Sequence, residues 1–276
     1  MFAGQIFRKE ETQSRGSKDV KVYDCQVAIK IATWQFLYFV HNTKFKRRID
    51  LKKFLFAFIV IMMNSSTLMA SPLMDYSAGA TSVDFMLRSS ADFTVERGTS
   101  SKTFAGDNVY DLTVTKSIGH KLAVQYAAYN PQTTIERAVI SSYSNQFTLQ
   151  NKEFNLLYKV NNNIALFAGL SDNKLKFDGD PGPGITHYAA ETKKIWQYGL
   201  SGKQKLGGKV SLYEVGALGK NLTAWKVGLG YKLTKDVEFN VDYRYLQVDK
   251  LTIPAFAAYK FDATVKGVGA GLTVKF

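Results

Sequence analysis

The sequence contains very little cysteine and proline. Of its 276 residues, one is cysteine, at Cys25, and five are proline. A single cysteine excludes an intramolecular disulfide framework and a metal site built from several thiolates. Scarce proline together with 13% aromatic residues is not the composition of a disordered chain. We therefore expect a folded protein that depends on neither disulfide bonds nor thiolate-bound metal.

Long apolar runs are also scarce. The longest covers residues 54–63, and ten residues at about 1.5 Å each cannot cross a hydrocarbon core of about 30 Å as a helix. Basic residues precede this run and small polar residues follow it, which is the pattern of a secretory signal peptide. We predict a signal peptide at 51–70, cleaved between Ala70 and Ser71.

Fifty residues precede this signal peptide, which is unusual for an exported protein. Residues 51–55, LKKFL, resemble the start of a bacterial signal peptide in which leucine replaces methionine. We therefore predict that translation begins at position 51 and that residues 1–50 are a non-native extension upstream of the true start. The alternative is a further apolar helix over 28–40, interrupted by Lys30.

The positive charge is concentrated in the leader. The chain carries 36 Lys and Arg against 23 Asp and Glu, a net charge of +13. More than half of this excess lies in residues 1–70, and the remainder is scattered along 71–276. Because a nucleic-acid-binding protein concentrates its basic residues in one patch or stripe, we predict no nucleic-acid partner.

Residues 71–276 alternate between apolar and polar side chains. In the last segment, apolar residues occupy every second position from Val268 to Phe276. A period of two indicates a β-strand with one apolar face. In one segment the phase slips at Glu214, which we interpret as a β-bulge. Ten segments alternate in this way: 80–89, 108–118, 121–129, 152–160, 163–171, 195–205, 209–218, 225–233, 237–245 and 267–276.

Short and long connectors alternate between these segments. The short ones are turns at 118–121, 161–163, 206–209 and 234–236, and the long ones cover 90–107, 130–151, 172–194 and 249–261, with a brief one at 219–222. Strands of roughly 9–11 residues with short turns at one end and long loops at the other are typical of transmembrane β-barrels. We predict an all-β, antiparallel up-and-down transmembrane β-barrel of ten strands, with eight as the alternative.

The final strand resembles the signal that the barrel-assembly machinery reads in outer-membrane proteins, with Val274 and Phe276 at its apolar positions. Residues 71–276, with the signal peptide, are similar to small porin-like Gram-negative outer-membrane β-barrel proteins. Two stretches, 71–79 and 238–244, are similar to short barrels of diderm Firmicutes (Negativicutes). The resemblance implies a monomer in outer-membrane lipid, assembled by that machinery, with periplasmic termini.

Charged residues on the polar faces of the strands must line the lumen. A basic residue facing lipid at the midplane costs roughly 2–4 kcal/mol. Both signs occur, so the side chains either pair and fill the interior or leave a narrow path for small solutes. Ten strands is close to the size at which side chains fill a barrel. The predicted lumen-lining residues are Asp84, Arg88, Asp111, Glu153, Lys159, Lys203, Lys226, Lys232, Glu238, Asp242 and Arg244.

Residues typical of catalysis or metal binding do not cluster. His120 falls in a predicted turn and His187 in a long loop, at opposite ends of the barrel. Residues 178–184, DGDPGPG, lack the further oxygen ligands of a calcium loop. We predict a porin-like barrel with no catalytic residue, cofactor or metal. The alternatives are a surface binding or adhesion module acting through loops 90–107, 130–151 and 172–194 and, less favoured, an outer-membrane hydrolase.

Overall fold

The computed structural model describes residues 79–137, 144–179, 186–189, 191–253 and 260–276. The predicted signal peptide, its cleavage site and the extension at 1–50 lie outside these residues. Within the described ranges, no helix is both long enough and apolar enough to cross a membrane.

The described chain is built from antiparallel β-strands. In chain order they are β1 (Thr81–Arg97), β2 (Ser100–Ala105), β3 (Val109–Ser117), β4 (Leu122–Tyr129), β5 (Glu136–Arg137), β6 (Ser144–Lys159), β7 (Ile164–Gly179), β8 (Thr186–Ala189), β9 (Lys193–Gly207), β10 (Val210–Gly219), β11 (Leu222–Lys232), β12 (Val237–Thr252) and β13 (Lys260–Lys275).

Ten of these strands close into a barrel, which confirms the predicted fold class and strand number. Each pairs with its neighbour in the order β1-β3-β4-β6-β7-β9-β10-β11-β12-β13, and β13 pairs with β1. The closing seam includes two backbone hydrogen bonds between Thr81 and Phe276, with N···O distances of 3.1 and 2.8 Å. The short strands β2, β5 and β8 pair along the edges of β1, β6 and β7.

An apolar band surrounds the outside of the barrel. In β12, Phe239 and Val241 point outward and are exposed, whereas Glu238, Asn240 and Asp242 point inward and are buried. So many exposed large apolar side chains are not compatible with a surface in water. The exposed members of this apolar band are Phe85, Leu87, Tyr110, Leu112, Leu122, Tyr126, Phe154, Leu156, Tyr158, Leu166, Trp196, Tyr198, Leu229, Tyr231, Phe239, Val241, Val268 and Leu272.

Five strands extend far beyond their predicted ends, so part of each of four long connectors is strand. The connectors predicted at 90–107, 130–151, 172–194 and 249–261 contain the ends of β1, β6, β7, β12 and β13. We call this end of the barrel the loop end, and the end with the short connections the turn end. The predicted strand ends were wrong because in these extensions the outward side chains are polar and the inward ones apolar, the opposite of the pattern used to find the strands.

The reversal is clearest in β7. Its outward residues are apolar from Ile164 to Leu170 and then polar from Asp172 onward. Its inward residues become apolar at Leu175. The pairing of β6 with β7 continues without interruption through this point. The strand is therefore regular, and what changes is the hydropathy of its two faces.

The predicted bulge at Glu214 is not present. The pairing of β10 with β11 runs through Tyr213, Glu214 and Val215 without a shift, and the irregularity in β10 lies between Val210 and Ser211 in its pairing with β9. Because the inward face of β10 becomes apolar at Val215, the same reversal of hydropathy produced the apparent slip in phase.

Candidate functional site: the side-chain-filled lumen

An ion-pair network crosses the middle of the lumen. The Arg88 guanidinium contacts Asp111 Oδ2 at 2.9 Å and Asp242 Oδ1 at 2.6 Å. Arg244 contacts the same Asp111 oxygen at 2.8 Å and Glu153 Oε1 at 3.3 Å. These five residues lie on β1, β3, β6 and β12, so the network joins opposite parts of the barrel wall.

The network is almost completely removed from water. Arg88 is 0% exposed, Asp111 2% and Asp242 3%. Burying a charge in this way costs several kcal/mol unless it is paired with good geometry, and each guanidinium here has two carboxylate partners. The ring of Tyr129 lies 4.2 Å from Arg244 Cζ, measured to its centroid, which adds a cation–π contact.

Uncharged amides extend this network toward β4 and β9. Gln197 Nε2 donates to Glu153 Oε2 at 3.1 Å and to Asn155 Oδ1 at 2.8 Å. Asn155 donates to Gln125 Oε1 at 3.3 Å, and Gln125 donates to Thr115 at 3.1 Å. Our sequence prediction considered only charged residues and missed these amides, although their inward alternation would have located them.

A second polar group lies nearer the turn end. Lys203 Nζ contacts Glu238 Oε1 at 2.8 Å, and Ser211 Oγ donates to the same oxygen at 3.0 Å. Asn240 donates to Thr273 Oγ1 at 2.8 Å, and Thr273 in turn donates to Asp84. These contacts join β1, β9, β10, β12 and β13 across the lumen.

Glycines on the facing strands make room for the large polar side chains. A Cβ added to Gly269 would lie 2.9 Å from Arg88 Nη1, and one added to Gly228 would lie 2.5 Å from the Tyr213 ring. Tyr213 donates from its hydroxyl to Asp242 Oδ2 at 3.0 Å. The glycines of β11 and β13 thus allow the lumen to hold arginine and tyrosine within a ten-stranded wall.

The interior of the loop end is apolar. Its inward residues lie in the extensions of the strands and on β2, where Phe104, Phe147 and Phe177 form a row of rings with centroids 5.2 and 4.8 Å apart. This apolar layer lies on the loop-end side of the ion-pair network. Fully buried side chains in this apolar layer include Phe93, Leu149, Leu175, Leu246, Val248, Leu251, Ile253 and Val265.

A small cavity remains beside the network. It has a volume of about 60 Å³ and is lined by polar residues such as Glu153, Lys226 and Arg244 on one side, and by Ala217 and Ala224 on another. This volume accommodates a few water molecules. It is far smaller than the roughly 300–1,000 Å³ of a typical small-molecule site.

All eleven predicted lumen residues lie on inward-facing positions of their strands. Eight of them, Asp84, Arg88, Asp111, Glu153, Lys203, Glu238, Asp242 and Arg244, take part in the two polar groups described above. Lys226 lines the small cavity, and Lys159 and Lys232 lie toward the turn end. At the C-terminus, Val274 faces outward in β13 and Phe276 is 77% exposed.

Of the three histidines, the two in the described residues lie at opposite ends of the barrel. His120 is exposed in the turn before β4, whereas His187 belongs to β8, which pairs with β7 at the loop end. Among the described residues, no group of three or more His, Cys, Asp and Glu side chains is arranged to hold a metal ion.

The barrel resembles solved outer-membrane β-barrel proteins at low sequence identity. OmpT, the outer membrane protease of Escherichia coli, matches with a TM-score of 0.54 and 13% identity over 76% of this chain and 99% of OmpT. Ail, the attachment invasion locus protein of Yersinia pestis, matches with a TM-score of 0.41 and 13% identity over 72% of this chain and 100% of Ail.

The outer membrane protein OprG of Pseudomonas aeruginosa gives a TM-score of 0.36 with 18% identity, over 74% of this chain and 99% of OprG. At such low identities the similarity establishes the fold alone. Of these three matches, the conclusion rests on OmpT, whose TM-score is 0.54. No protein-family model matches the chain, and no curated protein matches its sequence.

Proposed function

We propose that this chain is an integral β-barrel protein of the bacterial outer membrane whose lumen is closed to solutes. The outward apolar band supports the membrane location, because lipid is the medium in which such a surface is stable. The predicted signal peptide and final strand fit the same route of export and assembly. In this proposal the turn end and both termini of the mature chain face the periplasm.

The ion-pair network carries the proposal of a closed lumen. Arg88, Asp111 and Arg244 form a continuous chain of contacts of 2.9 Å or less across the interior. A passing solute would have to separate charges that are stable in this environment only when paired. The apolar layer of the loop end adds a second barrier, since an ion crossing it would lose its hydration. Of the two predicted states of the lumen, we therefore favour the side-chain-filled one.

Solute efflux from liposomes tests this proposal. The purified barrel is reconstituted beside a known general porin as the positive control, and its folding is verified by heat-dependent gel mobility. We expect liposomes with the folded barrel to retain a small sugar as well as protein-free liposomes do. Efflux at a rate comparable to that of the porin would contradict the closed lumen.

A binding role at the loop end is the second candidate, favoured by the strand extensions. The pairing of β1 with β2 gives a hairpin of twelve residue positions, from Asp92 paired with Ala105 to Arg97 paired with Ser100. Such a hairpin holds its exposed side chains in fixed positions, as a binding surface requires. Replacing residues 96–101 by a two-residue turn, with the barrel retained, should abolish attachment of expressing cells to a surface that cells with the wild-type barrel bind, if this candidate is right.

We propose a barrel that acts without catalytic residues and as a monomer, assembled by the barrel-assembly machinery. The similarity to barrels of diderm Firmicutes stays a prediction from residues 71–79 and 238–244.

A further inference from the structure

The interior of the turn end is strongly basic. Five lysines occupy inward-facing positions there, on β6, β9, β11 and β13, and we call this group the turn-end vestibule. Lys205 pairs with inward Ser211, Lys232 with Glu238 and Lys275 with inward Ser82. The vestibule lysines are Lys159, Lys203, Lys205, Lys232 and Lys275.

Three lysines of the vestibule lie within electrostatic reach of one another. The charges of Lys275 and Lys232 are close enough to repel the ammonium of Lys203. Lys205 and Lys232 are exposed, so the vestibule opens to water. Lys159 and Lys205 occupy inward positions at the same end of the barrel, so all five lysines lie around one mouth of the lumen.

The carboxylates near the vestibule do not offset this charge. Glu238 accepts from Lys203 and from Ser211, and Asp84 accepts from Thr273. Among the inward positions of the described strands at this end, two carboxylate side chains, Glu238 and Asp84, thus lie near five lysines. Asp236, in the turn before β12, lies 3.8 Å from Lys235, a further lysine.

The lysines of the loop end are arranged differently: Lys193 occupies an inward position and donates to the Asp249 carbonyl at 2.6 Å, and three others face outward. Lys174, Lys176 and Lys194 point outward from the barrel rather than into it, with Asp172 on the same face between them. Lys266 lies 3.6 Å from Asp92. Among the described strands, the vestibule is therefore where inward lysines outnumber inward carboxylate side chains.

We propose that the turn-end vestibule is a binding site for a multiply charged, phosphate-bearing anion that enters from the turn end. Ammonium groups bind phosphate as point charges that need no fixed fork geometry, which suits several lysines around one opening. The ion-pair network above the vestibule leaves the anion no path onward. Only this last statement rests on the proposed function, since the vestibule can bind whether or not the lumen conducts.

Calorimetric titration with inorganic pyrophosphate tests the proposal. The full chain is expressed, and the folded protein is purified in a zwitterionic detergent and titrated at low ionic strength. The double variant Lys205→Gln/Lys232→Gln removes the two exposed charges and keeps the contact between Lys203 and Glu238. We expect wild-type binding that weakens with salt and falls about tenfold in this variant.

A matched variant at the other end of the barrel is the control. Lys174→Gln/Lys194→Gln removes two outward lysines of the loop end, so it changes the net charge equally, and we expect it to bind pyrophosphate as the wild type does. An equal loss in both variants would overturn the proposal, because it would show a general effect of charge. Absence of binding to the folded wild type would overturn it as well.

Competition with lipid distinguishes the two sources of phosphate. The protein is placed in phosphatidylcholine vesicles with or without phosphatidic acid, and the pyrophosphate titration is repeated. Unchanged affinity supports a soluble phosphate compound as the ligand, whereas weaker binding with phosphatidic acid supports a lipid headgroup. If the vesicles also release solute while pyrophosphate still binds, the closed lumen fails and the vestibule stands.

Discussion

At the scale of single residues, Arg88 best explains how the lumen is held. Its guanidinium bridges Asp111 on β3 and Asp242 on β12, two strands far apart in sequence. Arginine is suited to this position because its planar fork can satisfy two carboxylates at once. With Arg88 absent, both carboxylates would lose a partner in a place that water does not reach.

The first prediction concerns this residue. Arg88→Met should lower the free energy of unfolding by about 3–5 kcal/mol, because it leaves buried charge without its partner. Urea unfolding in lipid vesicles measures the change. Lys235→Met is the control, since Lys235 is 89% exposed and its contact with Asp236 is a surface pair worth less than about 1 kcal/mol. Equal stability of the two variants would contradict this role of Arg88.

The second prediction concerns the space beside Arg88. Gly269→Ala places a methyl group 2.9 Å from Arg88 Nη1 and 3.0 Å from its Cγ, and the guanidinium cannot move away without lengthening its contacts with the carboxylates. Overpacking of this kind costs about 1–3 kcal/mol, which should exceed the gain of about 0.5–1 kcal/mol from replacing glycine in a strand.

The matched control for this glycine is Gly119→Ala. A Cβ at Gly119 would have no atom within 4 Å, so its effect on stability should stay within about 0.5 kcal/mol. The same unfolding experiment applies to both variants. A Gly269→Ala barrel as stable as the Gly119→Ala barrel would show that the glycine is not needed to accommodate Arg88.

At the scale of elements, the apolar face of a strand changes sides along its length. In β12 the inward residues change from Arg244 to Leu246 while the outward residues change from Tyr245 to Gln247. The sequence reveals the part of the strand with an apolar outer face, since alternation there matches the usual pattern of a barrel. The extension has polar outward and apolar inward residues, a pattern that the sequence alone predicts to be a loop.

The third prediction locates this reversal by spectroscopy. The described residues contain no cysteine, and the one cysteine of the chain is Cys25, so in a Cys25→Ser chain single cysteines can be introduced at outward positions of β7 and spin-labelled. Labels at Leu166, Ala168 and Leu170 should be accessible to oxygen dissolved in lipid, and labels at Lys174 and Lys176 to a water-soluble nickel reagent. The accessibility should change between Leu170 and Lys174.

Two results would contradict the assignment of β7. Accessibility to oxygen that continued to Lys176 would extend the lipid-facing surface to the loop end. If the accessibility stopped alternating between successive residues beyond Leu170, the strand would end there, as the sequence predicted.

At the scale of the whole molecule, the sequence predicted the architecture better than the interior. Ten alternating segments and their connectors were enough to predict a closed ten-stranded barrel. Inward positions such as Asp111 and Arg244 followed from alternation, but their shared contact did not, because 133 positions separate them. The apolar layer of the loop end was missed since Leu149 and Leu175 fall where the connectors were predicted.

Two layers of the interior carry the proposal of a closed lumen. We propose that the ion-pair network blocks the middle of the lumen and that the apolar side chains of the loop end block that end. A barrel of this kind is filled in the way expected near eight strands rather than open as at about 16. Its surfaces, above all the turn-end vestibule and the loop-end hairpin, are then where it meets other molecules.

Single-channel recording of the folded barrel in a planar bilayer tests this claim most directly. We predict no discrete conductance steps from protein whose folding and insertion have been verified by heat-dependent mobility and protease protection. Discrete, reproducible steps from the wild-type barrel would contradict the claim, because they would require a continuous aqueous path past Arg88 and Arg244.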